Sequence, residues 1–296
     1  MLTSELFRGN QALEGASAVP AKHVVKGRRG DHVSKIQEAL IVLDNAIILG
    51  NDISTQTYGE STADAVLAFK GPPRNIVNLS YQKAPDNIVG IMTMKVLDRE
   101  MTAIEGRMGG MIEQARMAAF QRTFAAFMQV ASIGPPGIPR RVDPNERNLL
   151  RATALARDIF NNQNPDMDDI ANVLGDMRNR LMSKSSDRAH LPDTRIGGRD
   201  GFVVGNRLPI VLCPHFFATS DEQRIRTMVH ESAHLTGIGD PDGEAYYLLY
   251  NSRNEPPGFL VGTPKSVRRE DFADTWAKYV NAVTNQPADP EDTIKK

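Results

Sequence analysis

The chain predicts a mainly α-helical protein carrying one small antiparallel β-sheet. Three observations point there. Apolar residues recur at three- and four-residue spacing over most of the 296 residues. One stretch, "GFVVGNRLPIVLCPHFF", instead sets two β-rich runs around a short turn. Clusters of Gly and Pro divide the helical stretches into successive groups.

The first group runs to about residue 100. "GDHVSKIQEALIVL" places Val33, Ile36, Leu40 and Leu43 on one helical face, and "GESTADAVLAFK" does the same with Ala65, Val66 and Phe69. Ser61 or Thr62 can cap the second helix. "GNDISTQTYG" and "GPPRNIVN" read as loops, and "MTMKVLDREM" as a third short helix. A helical linker follows over 101–139, with a break at Gly109-Gly110 and an end at "GPPGIP". Helical spacing assigns Met108, Met111, Met117 and Met128 to packing.

The last group spans 140–296. "NERNLLRATALARDIFNN" and "MDDIANVLGDMRNRLMSK" form two amphipathic helices. Phe202–Val204 and Ile210–Leu212 then pair as a hairpin around Gly-Asn-Arg. A further helix starts near Ser220, with Thr219 and Glu222 as a capping box and Gly237 to stop it.

Composition removes several function classes. Formal net charge is −1, so no large basic field offers itself to nucleic acid. Cys213 is the single cysteine, which rules out an intrachain disulfide and reads as a buried thiol. No apolar stretch reaches the length of a membrane span. "MLTSELFRGNQALEG" lacks the charge-then-apolar order of a secretory signal, so synthesis in the cytoplasm is expected, with a leaderless route or cell lysis to take the protein outside if it acts there.

Chemistry concentrates in "VHESAHLTGIGDPDGEAYY". His230 and His234 lie one turn apart on the same helix face, a spacing at which two imidazoles can chelate one Zn²⁺. Glu231 stands beside the first, where it can take a proton from a water on the metal. With 6 histidines in the chain, chance supplies only about 0.006 such motifs. A catalytic zinc takes three protein ligands and keeps one position open. Asp240, Asp242 and Glu244 follow the Gly237–Gly239 turn and are the candidates for the third. His23, His32, His190 and His215 have no second ligand at metal spacing.

Two resemblances extend this reading. "VVKGRRGDHVSKIQEAL", "TYGESTADAVLAF" and "DNIVGIMTMKVL" resemble the bacterial peptidoglycan-binding domain family, through Gly27, Gly30, Val33, Ile36, Gln37, Leu40, Tyr58, Gly59, Thr62, Ala65, Val66 and Phe69. Asn87 and Ile91 replace that family's usual Gly and Pro. "IVLCPHFFATSDEQRIRTMVHESAHLTGIGDPDGEAYY" resembles the aspzincin metallopeptidases, the deuterolysin and peptidyl-lysine metalloendopeptidase family. There an Asp in a Gly-Thr-x-Asp-x-x-Tyr-Gly run is the third zinc ligand, whereas here Asp240 replaces the threonine after Gly239 and no spacing reproduces the whole run. Asp242 matches by distance from Gly239, but Tyr246 is then one residue too far. Glu244 with Tyr247 restores the acid-to-tyrosine spacing and is the preferred pair, as ligand and oxyanion donor. "REDFADTWAKYVNAV" resembles the family's Asn-Ala-Asp helix, which makes Asp274 the expected reader of a substrate amine. Trp276 and Tyr279 read as core.

Together the resemblances imply a zincin-like α+β catalytic domain over 140–296, behind a three-helix peptidoglycan-binding domain over 1–100. The implied function is zinc-dependent cleavage of peptidoglycan stem peptides by an antibacterial effector, such as a type VI secretion toxin. Secretion-apparatus and immunity proteins are then candidate partners. A lysine-directed protein endopeptidase and a non-catalytic wall-binding or secretion adaptor are the alternatives.

Overall fold

The structure, a computed structural model, describes residues 1–80, 82–131, 145–193, 199–204, 206–239 and 273–284. It is mainly helical, with ten helices and a small three-stranded mixed sheet among the described residues. The chain forms two compact units. One comprises Met1–Ile112, Asp187–Phe202 and Val211–Ser220; the other comprises Glu113–Ser186, Val203–Ile210 and Asp221–Lys296.

In the first unit, α1 (Gln11–Ala16) precedes α2 (Asp31–Asp44), the single-turn α3 (Gly50–Ser54) and α4 (Glu60–Lys70). Sequence periodicity assigned α2 one buried face, yet every residue from Ile36 to Val42 is buried. Two partners explain this. α4 packs on one side and α8 (Pro214–Ala218) on another. A helix covered all round loses its amphipathic signature only if the second cover is apolar. Here Phe216 and Phe217 of α8 are buried, whereas the polar position Glu38 is met by the 187–202 segment: its carboxylate accepts from Leu191 N at 3.0 Å and lies 2.7 Å from His190 Nδ1.

The start of α4 differs from expectation. Neither Ser61 nor Thr62 caps it, because Gly59 occupies the cap position. Asp52 reaches in from α3 instead. Its carboxylate accepts from Ser61 Oγ at 2.6 Å and Thr62 N at 3.4 Å. A Cβ on Gly59 would fall 2.1 Å from that carboxylate, so glycine is required there by close approach. Gln37 closes the cluster by donating to Thr57 O and Thr62 Oγ1, both at 2.9 Å.

"MTMKVLDREM" is the opening of a much longer helix, not a short one. α5 (Ile91–Val130) runs unbroken for 40 residues, through Gly109-Gly110. Each glycine costs about 1 kcal/mol relative to alanine in a helix. Packing offsets this: Met94, Leu97, Met101, Met108, Ala115, Ala119, Thr123, Ala126 and Val130 are buried at three-, four- and seven-residue intervals. Met108 therefore packs as expected, whereas Met117 and Met128 are 39% and 41% exposed. They project from the other side of the same helix, which spacing alone did not separate from the packed side.

The second unit holds the C-terminal half of α5, with α6 (Asn145–Ile159), α7 (Met167–Met182), α9 (Asp221–His234) and α10 (Ala273–Val283). α9 packs between α7 and α10, and α10 also packs on α6. Phe160 sits 4.9 Å from Trp276 and 5.1 Å from Tyr279, centroid to centroid. Trp276 and Tyr279 are buried, and the Tyr279 hydroxyl donates to Ala152 O at 3.1 Å. Burial pushes the Tyr279 phenol well above its usual pKa. α9 begins at Asp221 rather than behind a Thr219 cap. The Thr219 hydroxyl donates to Phe216 O, and Glu222 forms an ion pair with Arg122 of α5.

The strands are β1 (Ser186–Arg188), β2 (Gly201–Val204) and β3 (Arg207–Leu212), in the order β1-β3-β2. β2 and β3 are the expected hairpin. Asn206 turns it with φ +59°, the left-handed region that asparagine tolerates. β1 adds to the far side of β3 and makes the sheet mixed, where a purely antiparallel one was expected. Cys213, just past β3, is fully buried. Among the described residues no helix is long and apolar enough to cross a membrane.

Candidate metal centre

α9 is amphipathic. Ile225, Met228, Val229 and Ala233 bury one side, which fixes the helix rotation and brings His230 and His234 out together. Their Nε2 atoms lie 3.0 Å apart, with the rings at 84° and centroids 4.7 Å apart. Two nitrogens bound tetrahedrally to zinc at 2.0–2.1 Å would be separated by about 3.3 Å. The Nε2 separation is thus within a few tenths of an ångström of the N–N distance of two ligands sharing a zinc. Glu231 follows His230 directly and is only 3% exposed.

Each outer nitrogen has its own acceptor. His230 Nδ1 is 2.8 Å from Asp274 Oδ1, and His234 Nδ1 is 2.8 Å from Ile238 O. The local chain geometry makes both contacts. Gly237 N donates to His234 O at 3.0 Å, and Gly237 takes φ +95°, a conformation that favours glycine. This reversal folds Ile238 back under His234. One residue later, Gly239 O accepts from Ala273 N at 3.1 Å. That bond pins the start of α10 to the turn and delivers Asp274, in the first helical turn, to His230. Arg226, one turn before His230 on α9, brings its guanidinium to 3.8 Å from the same Asp274 oxygen.

The structure therefore brings together His230, His234 and Asp274, with Glu231 buried beside the first histidine. Asp240, Asp242, Glu244, Tyr246 and Tyr247 lie outside the described residues. Among the described residues no group of three or more His, Cys, Asp or Glu side chains is arranged to hold a metal ion. The described donors fit two ligand positions of a zinc, not a complete set. His190 and His215 belong to other environments: Glu38 faces the first, and Asn45 Oδ1 lies 3.0 Å from Nδ1 of the second. Burial, opposed by the more weakly felt Asp200 carboxylate, lowers the His215 pKa.

Sequence reasoning did not anticipate the His230–Asp274 contact. The two are 44 residues apart, and no short-range spacing encodes a bond between helices. Ile238 offers a backbone carbonyl, which carries no residue-type signal at all. No family model, curated protein or solved structure matches the chain.

Proposed function

We propose that the chain is a zinc-dependent peptidase acting on bacterial cell-wall peptides. The observation that carries this is the convergence of two imidazole Nε2 atoms at 3.0 Å on a helix whose next residue after His230 is a buried glutamate. Both Nδ1 atoms also lie 2.8 Å from acceptors, so the two rings are held while their Nε2 atoms face each other. Such outer contacts are what orient metal-ligating histidines.

His230 and His234 would hold the zinc, with Glu244 as third ligand. When bound, zinc supplies Lewis acidity and lowers the pKa of a coordinated water towards about 7. Glu231 accepts the proton of the attacking water and returns it to the leaving amine. Tyr247 donates a hydrogen bond to the oxygen of the attacked carbonyl as charge develops there.

The wall substrate is supported by the resemblance of residues 1–100 to peptidoglycan-binding modules. Delivery to the periplasm of a rival cell, through a specialised secretion system and countered by an immunity protein, would bring enzyme and substrate together. The test is hydrolysis of purified sacculi and of casein, each with and without chelator. Chelator-sensitive release of stem peptides supports the proposal. Casein cleavage alone would make the chain a protein endopeptidase, with cuts before lysine marking the lysine-directed kind, and wall binding without hydrolysis would make it an adaptor.

A further inference from the structure

Asp274 matches the position at which lysine-directed aspzincins read a substrate amine, but its surroundings describe another task. A neutral imidazole ligates metal through the nitrogen that lacks a proton. Which nitrogen that is depends on the hydrogen bond made by the other. An ionised carboxylate only accepts, so a carboxylate 2.8 Å from His230 Nδ1 requires the proton on Nδ1. In the neutral ring the lone pair is then left on Nε2, the atom that faces His234.

Three further details agree. Oδ1 of Asp274, the oxygen on His230, is also the one nearest the Arg226 guanidinium. The side chain is 15% exposed, which leaves little room for an incoming ammonium group. The Ala273 N to Gly239 O bond fixes the backbone beside it, as a rigid positioning group requires. The two histidines are thus held differently. His234 leans on a carbonyl of its own turn, whereas His230 depends on a charged side chain from a separate helix.

We infer that Asp274, with Arg226 behind it, is a positioning residue that fixes the tautomer of His230, and not the reader of a substrate amine. The inference rests on His230 being a metal ligand, but its first readout does not need metal. In the full chain labelled with ¹⁵N-histidine, the metal-free protein should show His230 protonated at Nδ1. Asp274→Ala should shift the proton towards Nε2 and weaken zinc by about 10- to 100-fold in a chelator competition. Asp274→Asn keeps an oxygen acceptor and should retain the tautomer with a smaller zinc loss. Arg226→Gln should fall between Asp274→Asn and wild type. If Asp274→Ala does not fold, the Asn variant decides: weakened zinc with an unchanged melting curve supports the inference, and unchanged zinc overturns it. An unchanged tautomer with unchanged zinc affinity in Asp274→Ala, or a loss confined to cleavage beside amine-bearing residues, also overturns it. If wild type binds no zinc while the tautomer still shifts in Asp274→Ala, the metal-centre reading fails and the positioning role stands.

Discussion

Two carboxylate–histidine pairs lie in different units of this protein, and their contrast separates scaffold from site. Glu38 meets His190 Nδ1 at 2.7 Å, and Asp274 meets His230 Nδ1 at 2.8 Å. The contacts are nearly identical; the remaining nitrogens are not. The His190 side chain is 53% exposed, and its carboxylate, 2% exposed, also receives the Leu191 N–H. That pair ties a loop to a helix. His230 turns its other nitrogen to a second imidazole 3.0 Å away. A carboxylate on Nδ1 therefore marks a held histidine, and only the convergence of Nε2 atoms marks a candidate ligand.

The largest effect should come from Glu231→Ala. Zinc and fold should be retained while turnover on sacculi falls by about 10²- to 10⁴-fold, since only the proposed proton acceptor is lost. Substantial remaining hydrolysis would move the base elsewhere. Next is the third ligand. Glu244→Ala should weaken zinc by orders of magnitude and Asp242→Ala only mildly, as measured by chelator competition on both variants. The reverse result would assign Asp242 as ligand and move the oxyanion role to Tyr246.

Crossing the two pairs sharpens the contrast at smaller scale. Glu38→Ala should lower stability by about 1–3 kcal/mol, because it leaves the Leu191 N–H without its buried acceptor. Its zinc affinity should match wild type. A zinc loss in Glu38→Ala would break the distinction between the pairs. Denaturant unfolding and zinc titration of the same preparations check both statements.

The smallest effect concerns a carboxylate that holds no histidine. Burial pushes the Asp98 pKa up, but hydrogen bonds from Ser4 and Thr3 outweigh it and leave the pKa below its usual value. The Thr3 and Ser4 amides both donate at 2.9 Å. A depressed folded pKa stabilises fully above the unfolded value of about 3.9. That contribution fades as pH falls through the lower folded value. Asp98→Asn should therefore flatten the acid limb of the stability curve below about pH 4, and an unchanged limb would remove Asp98 from that role.

Local rules made much of the structure legible. The helical spans of α2, α4, α6 and α7, the β2–β3 hairpin, and the histidine pair on α9 all follow from spacing within about one to four turns. Contacts between distant segments were not legible. The cover over Glu38 comes from residues about 150 positions later in the chain, and the Asp274 contact with His230 arises from a second helix. Gly109-Gly110 misled for the opposite reason: propensity favours a break, and packing on both sides of the pair keeps α5 whole. Gly237 was read as a helix stop, but it also returns Ile238 O to His234, a contact that residue type cannot announce.

His230 and His234 are proposed to face one metal ion. Zinc content of the full chain, measured after reconstitution and desalting, tests it most directly. About one equivalent should remain on wild type, and His230→Ala and His234→Ala should each retain essentially none. Less than about a tenth of an equivalent on correctly folded wild type, or undiminished zinc on both alanine variants, would contradict the account.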